Sequence, residues 1–115
     1  MAANVSNITN MSGVFRNCFD LYKVCDINAP KCTEFTGMFS RCEKLVSVGT
    51  INMSNASLMA MMFYLCAKLS AIPNIILPAL ILQNDGKIEE CYYMFAGCTN
   101  VASGILDLYD RFTRK

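Results

Sequence analysis

The chain contains no histidine and no tryptophan, and only three of its 115 residues are proline. Without histidine, no Ser-His or Cys-His pair exists to activate a nucleophile. Charge of one sign is also lacking: ten basic side chains face nine acidic ones, which excludes the basic field that phosphate-backbone binding requires. The six glycines are scattered and form no phosphate-cradling loop. The longest apolar run, Ile72 to Leu82, is interrupted by Pro73, Asn74 and Pro78 and falls far short of the ~20 residues of a membrane-spanning helix. The opening segment Met1-Ala2-Ala3-Asn4-Val5-Ser6-Asn7 lacks the charged start and apolar stretch of a secretory signal. The expected location is therefore the cytoplasm or a virus particle, or the cell surface if the chain is cut from a longer secreted parent. The seven cysteines are odd in number, so complete internal disulfide pairing is impossible.

What is there is a repeat. Val14-Phe15-Arg16-Asn17-Cys18-Phe19-Asp20-Leu21 is followed by Met38-Phe39-Ser40-Arg41-Cys42-Glu43-Lys44-Leu45. Met62-Phe63-Tyr64-Leu65-Cys66-Ala67-Lys68-Leu69 and Met94-Phe95-Ala96-Gly97-Cys98-Thr99-Asn100-Val101 complete the set. The four repeat cores are thus 14–21, 38–45, 62–69 and 94–101, within a single domain spanning 1–115. The phenylalanines are spaced 24, 24 and 32 residues apart, which places an insertion near 83–87, where Asp85-Gly86 signals a turn. Nine and twelve residues past the first three phenylalanines stand Val24 and Ile27, Val48 and Ile51, Ile72 and Ile75. Five residues past each phenylalanine the residue is polar: Asp20, Lys44, Lys68, Asn100. Such a unit cannot bury its apolar face alone, but a stack of units shares one core.

Within the unit, Met-Phe-x-x-Cys places apolar side chains at helical spacings of three and four. Segment 56–66 is rich in helix formers, with Ser54-Asn55 positioned as its cap. The following Leu-x-x-Val/Ile-x-x-Ile predicts a short strand with a bend. Beyond Val101, the residues Ile105, Leu108 or Tyr109, and Phe112 share one face of an amphipathic helix. The expected fold is α/β: a solenoid of about four coils, each a short helix plus a short strand, with a C-terminal capping helix over 101–115. Phe15, Phe39, Phe63 and Phe95, Cys18, Cys42, Cys66 and Cys98, and Leu21, Leu45, Leu69 and Val101 are its expected repeat core.

With the Met-Phe-x-x-Cys-x-x-Leu signature in four copies, the chain resembles the BspA-type leucine-rich repeats of bacterial surface proteins. The segment Asn7-Ile8-Thr9-Asn10-Met11-Ser12-Gly13-Val14-Phe15-Arg16-Asn17-Cys18 is similar to that family's lead-in, and Cys91-Tyr92-Tyr93-Met94-Phe95-Ala96-Gly97-Cys98 to a form found in gut Bacteroides proteins and their phages. The resemblance covers roughly residues 5–101. Val14 in place of Met, Val101 in place of Leu, and the short length depart from it.

The repeat cysteines lack the close Cys-x-x-Cys pairing of zinc sites and read as small buried hydrophobes. Cys25, Cys32 and Cys91 fall off the repeat, and one disulfide between coils stays open in an oxidising compartment. Glu89-Glu90 beside a turn reads as solvated. Five Asn-x-Ser/Thr triplets, starting at Asn4, Asn7, Asn10, Asn52 and Asn55, read as helix caps and turn formers. Neither an enzymatic activity nor a cofactor or metal is expected. The expected function is a protein–protein interaction or adhesion module of bacterial surface type; the alternative is a structural component of a phage or prophage particle. The expected partner is a protein, through self-association or assembly into a larger complex as one form of it, with Tyr64, Arg16 and Tyr22 as candidate contacts.

Overall fold

A computed structural model of the chain describes residues 3–71, 73–76 and 93–101. Among the described residues there are six two-residue strands: β1 (Ala3–Asn4), β2 (Lys23–Val24), β3 (Ile27–Asn28), β4 (Ser47–Val48), β5 (Ile51–Asn52) and β6 (Ile75–Ile76). One parallel sheet runs β1-β3-β5-β6 and a second pairs β2 with β4. Ile27 faces Ile51, and Ile51 faces Ile75, so each pairing joins residues 24 apart. Lone parallel bridges link Asn10 to Glu34 and Glu34 to Leu58 at the same interval. Successive coils of chain therefore lie directly upon one another.

The expectation of a helix in each coil, and of an α/β fold, is overturned: no described residue is helical. The Phe-x-x-Cys-x-x-Leu spacing has a different origin. Each Cys and each Leu of the motif closes a tight turn on the carbonyl three before it. The amides of Cys18, Cys42, Cys66 and Cys98 donate to Phe15, Phe39, Phe63 and Phe95, and those of Leu21, Leu45 and Leu69 donate to Cys18, Cys42 and Cys66. The intervening amides reach the next coil instead. Phe15, Phe39 and Phe63 donate to Met38, Met62 and Met94 at 2.8–2.9 Å; Asn17, Arg41 and Leu65 donate to Ser40, Tyr64 and Ala96 at 2.7–2.9 Å. A helix sends every amide back along its own chain; here alternate amides leave the coil.

Two backbone positions per coil make this possible. Residues two before each phenylalanine (Gly13, Gly37, Met61, Tyr93) and two after it (Asn17, Arg41, Leu65, Gly97) all have φ between 55° and 82°. Left-handed φ breaks a right-handed helix and favours Gly or Asn. The supposed cap Ser54-Asn55 lies in a turn. Asn10 and Asn52 use their Oδ1 to accept the amides of Ser12 and Ser54 two residues on, so these sites shape turns rather than cap helices. The capping helix expected past Val101, the insertion near 83–87, and Ile72, Glu89, Glu90, Cys91, Tyr92 and Tyr109 lie outside the described residues.

The core is a set of columns. The rings of Phe15, Phe39, Phe63 and Phe95 stack nearly parallel with centroids 5.2, 5.1 and 5.3 Å apart. The eight extra residues between the last two copies leave that spacing unchanged. Met38, Met62 and Met94, Leu45 and Leu69, and Ile27 and Ile51 are buried around them.

Candidate functional site

Because the core is columnar, so is the surface. Each outward position of the repeat becomes a row of side chains, one per coil. Asp20, Lys44, Lys68 and Asn100 are all exposed. Lys44 Nζ reaches Asp20 Oδ1 at 3.3 Å, with both side chains well in solvent, so the pair adds little stability. Asn52 Nδ2 donates to Asn28 Oδ1 at 3.2 Å. Asn74 Nδ2 donates to Thr50 Oγ1 at 3.4 Å, and the Thr50 amide donates to Asp26 Oδ1 at 2.8 Å.

Arg16 and Tyr64 stand in one row with Ser40 and Ala96. Arg16 is exposed, Tyr64 half-buried and Ser40 buried. Tyr22, 67% exposed, belongs to a different row with Val46 and Ser70. Sequence reading missed Arg41, whose guanidinium carbon lies 5.8 Å from the Tyr64 ring centroid, within cation–π range. Its signal was weak, since Arg41 occupies a left-handed turn position that the other copies fill with Asn, Leu or Gly.

The repeat cysteines form hydrogen bonds as well as fill space. Cys42, Cys66 and Cys98 donate their thiols to the carbonyls of Phe15, Phe39 and Phe63 in the coil before, at 3.0, 3.1 and 3.1 Å. Burial raises the pKa of each thiol: Cys42 to about 11 and Cys98 to about 12, with Cys66 raised further still. All three thus stay protonated, as donors must, and are poor nucleophiles. Cys32 is buried, with its Sγ 3.4 Å from the Glu34 carbonyl; burial raises its pKa too. Cys25 is exposed, and Cys18, Cys25, Cys32, Cys42, Cys66 and Cys98 are all free thiols. Among the described residues no three His, Cys, Asp or Glu side chains gather as a metal site.

The described residues also line concavities. One, of about 350 Å³, sits at the corner between the two sheets and is lined by Lys23, Val24, Cys25, Asp26, Ser47, Val48 and Gly49. A Cβ on Gly49 would lie 2.6 Å from the Asp26 amide nitrogen, so only glycine lets this corner close. Another, of about 290 Å³ and almost wholly apolar, opens at the N-terminal end of the stack around Val5, Ile8, Met11, Val14, Phe15 and Ile27. No sequence signal beyond the odd Val14 pointed to it.

No curated protein and no solved structure matches the chain. A family model does, over residues 2–109. That span takes in all four Phe-x-x-Cys units, and the chain belongs to the family described as Mycoplasma protein of unknown function, DUF285.

Proposed function

We propose that this protein is a non-catalytic binding or adhesion module of the BspA-like kind, which recognises another protein through the rows of side chains on the flank of the stack. The observation that carries the reading is the division of labour within each coil. Phe, Cys and Leu are spent on the core, while the residue after each phenylalanine changes from Arg16 to Ser40 to Tyr64 to Ala96 on a regular scaffold. A rigid frame with exchangeable side chains at fixed offsets, of which exposed Arg16 and half-buried Tyr64 reach solvent while Ser40 is buried, suits recognition of an extended partner surface. Tyrosine and arginine, paired here as Tyr64 and Arg41, are the residue types that most often dominate interface energetics. The absence of histidine from the chain supports the non-catalytic part of the reading.

The test is capture by the immobilised full chain from its native source, identification of the captured protein, and titration of that protein against variants. Tyr64→Ser with Arg16→Ser, and separately Tyr22→Ser, are expected to weaken binding at least about fivefold, the equivalent of ~1 kcal/mol, while thermal midpoints stay near wild type. Unchanged affinity in both variants would remove the flank from consideration.

A further inference from the structure

Cysteines aside, one polar side chain is buried among the described residues, and it lies on the flank rather than in the core columns. Ser40 is 5% exposed. It stands between Arg16 and Tyr64 in the row that follows the phenylalanines. Its backbone is satisfied: the Ser40 amide donates to the Gly37 carbonyl at 3.0 Å, and the Ser40 carbonyl accepts the Asn17 amide at 2.9 Å. Its hydroxyl has no hydrogen-bond partner among the described residues. A buried polar group without a partner is destabilising and uncommon. Such a group marks a place where a ligand can supply what the fold does not.

Two guanidinium groups adjoin it. That of Arg16 lies across Gly13 and Gly37: a Cβ on Gly13 would sit 3.4 Å from its Cζ, and one on Gly37 2.6 Å from its Nη2. Arg16 thus rests on the turn that holds Ser40. Arg41 follows Ser40 in the chain, and its guanidinium carbon lies 5.8 Å from the centre of the Tyr64 ring. Neither arginine has an acidic side chain within ion-pair distance among the described residues, where the ion pair is Lys44 with Asp20. Both are packed on a surface, so part of the cost of ordering them is met before a ligand arrives. The row of Gly13 and Gly37 continues in the next coils as Met61 and Tyr93, 36% and 42% exposed. This side of the stack is therefore cationic over its first two coils and apolar over the next two.

We infer that the partner presents an acidic peptide segment here, extended along the axis of the stack. The inference rests on the flank reading above and names the chemistry of what the flank receives. One carboxylate takes the Arg16 guanidinium and accepts the Ser40 hydroxyl; a second takes Arg41; an apolar side chain then covers Met61 and Tyr93. A guanidinium binds a carboxylate through two parallel bonds, which gives direction as well as charge. Coils rise by the 5.1–5.3 Å that separates the stacked rings. Alternate side chains of an extended strand recur about every 6.6 Å, a difference that the long arginine side chains absorb. The expected pattern is acid-x-acid-x-apolar. A sulfated sugar chain would satisfy the arginines but bring nothing apolar to Met61 and Tyr93. The second and third coils have a coil on either side among the described residues, so the site is not a property of either end of the stack.

The experiment titrates the full chain into a fluorescein-labelled peptide, Gly-Glu-Ser-Glu-Ser-Leu-Gly, and follows anisotropy at low ionic strength. Binding is expected, and it weakens as salt is added. Arg41→Gln and Arg16→Gln are each expected to weaken it at least about tenfold. Ser40→Ala is expected to weaken it about threefold while the melting midpoint holds or rises, because an unpaired buried hydroxyl has been removed. A serine with a merely structural role would lower the midpoint instead. Tyr22→Ser, on another row, is expected to leave peptide binding unchanged. No binding, equal binding of the peptide with glutamine in place of both glutamates, or full affinity in Arg41→Gln overturns the proposal. So does a heparin hexasaccharide that binds more tightly and displaces the peptide, because that would make a sulfated glycan the occupant. If the acidic peptide fails while Tyr64→Ser with Arg16→Ser still loses the captured partner, the flank stands and its acidic ligand falls.

Discussion

Phe15 and Phe39 hold the same place in the same motif, in coils one above the other, yet Phe39 is wholly buried and Phe15 only partly. The contrast extends through the unit. Cys42 and Leu45 have no exposed surface, while Cys18 and Leu21 keep some. Nothing in the local sequence separates the two coils enough to explain this. The difference is that, among the described residues, coil two has a neighbouring coil on both sides and coil one on only one. Burial here belongs to the interface between coils, so stability is close to a sum of neighbour terms.

The comparison breaks most visibly at the ring ladder. Phe39→Ala and Phe63→Ala remove a ring stacked on both faces and are expected to cost about 3–5 kcal/mol. Phe15→Ala removes a ring stacked on one face and is expected to cost about half as much, at the low end of what a partly buried aromatic contributes. Denaturant midpoints at constant slope would measure the gap. Equal losses at Phe15 and Phe39 would mean that coil one is covered by something other than its single neighbour.

The next effect concerns pH. Burial raises the thiols of Cys42, Cys66 and Cys98 above the range they have in an unfolded chain, to about 11 for Cys42 and about 12 for Cys98. The folded state then binds a proton that the unfolded state releases. The stabilisation is intact below the ordinary thiol pKa of ~8.5 and is lost as pH climbs through the folded values, by at most about 1.4 kcal/mol per pH unit for each thiol. Midpoints measured from pH 8 to 10.5 are expected to fall, and Cys66→Ala is expected to be less stable at pH 8 but to show a shallower fall. A parallel decline in wild type and variant would locate the alkaline sensitivity elsewhere, in tyrosines or lysines.

How much of this was legible in the residues depends on the question asked. The 24-residue interval is plain in the sequence because it is written in bulky side chains, and the strands pair at that interval, Ile27 with Ile51 and Val24 with Val48. The local conformation was misread because a spacing of three satisfies both a helix and a succession of tight turns. The discriminating signal was present but thin. Gly13 and Gly37 share one offset, and Asn17 and Gly97 share another; recurring Gly or Asn at a fixed offset argues for positive φ. Met61, Tyr93, Arg41 and Leu65 at the same offsets masked it, and Met-rich segment 59–62 has high helix propensity. Tertiary bonds between coils overrode that propensity. The apolar end was invisible for a different reason: it is defined by what lies beside the first coil, which no motif within that coil encodes.

The smallest expected effect compares two coils at the position two before the ring. Gly37 and Met61 adopt the same backbone, at φ 65° and 57°. For Met61 this conformation costs about 1–2 kcal/mol relative to right-handed φ, whereas a glycine pays instead about 0.5–1 kcal/mol of chain entropy. Met61 is exposed, so Met61→Gly loses little contact and is expected to stabilise the protein by about 0.5–1 kcal/mol. Gly37→Ala makes the opposite trade. Its new Cβ would lie 2.6 Å from Arg16 Nη2, a flexible group that can swing aside, so the cost is the backbone strain alone, about 1 kcal/mol. Thermal melts of the two single variants and the double variant would check both signs. A loss of stability in Met61→Gly would mean that the methionine side chain holds the flank together more than its turn strains it.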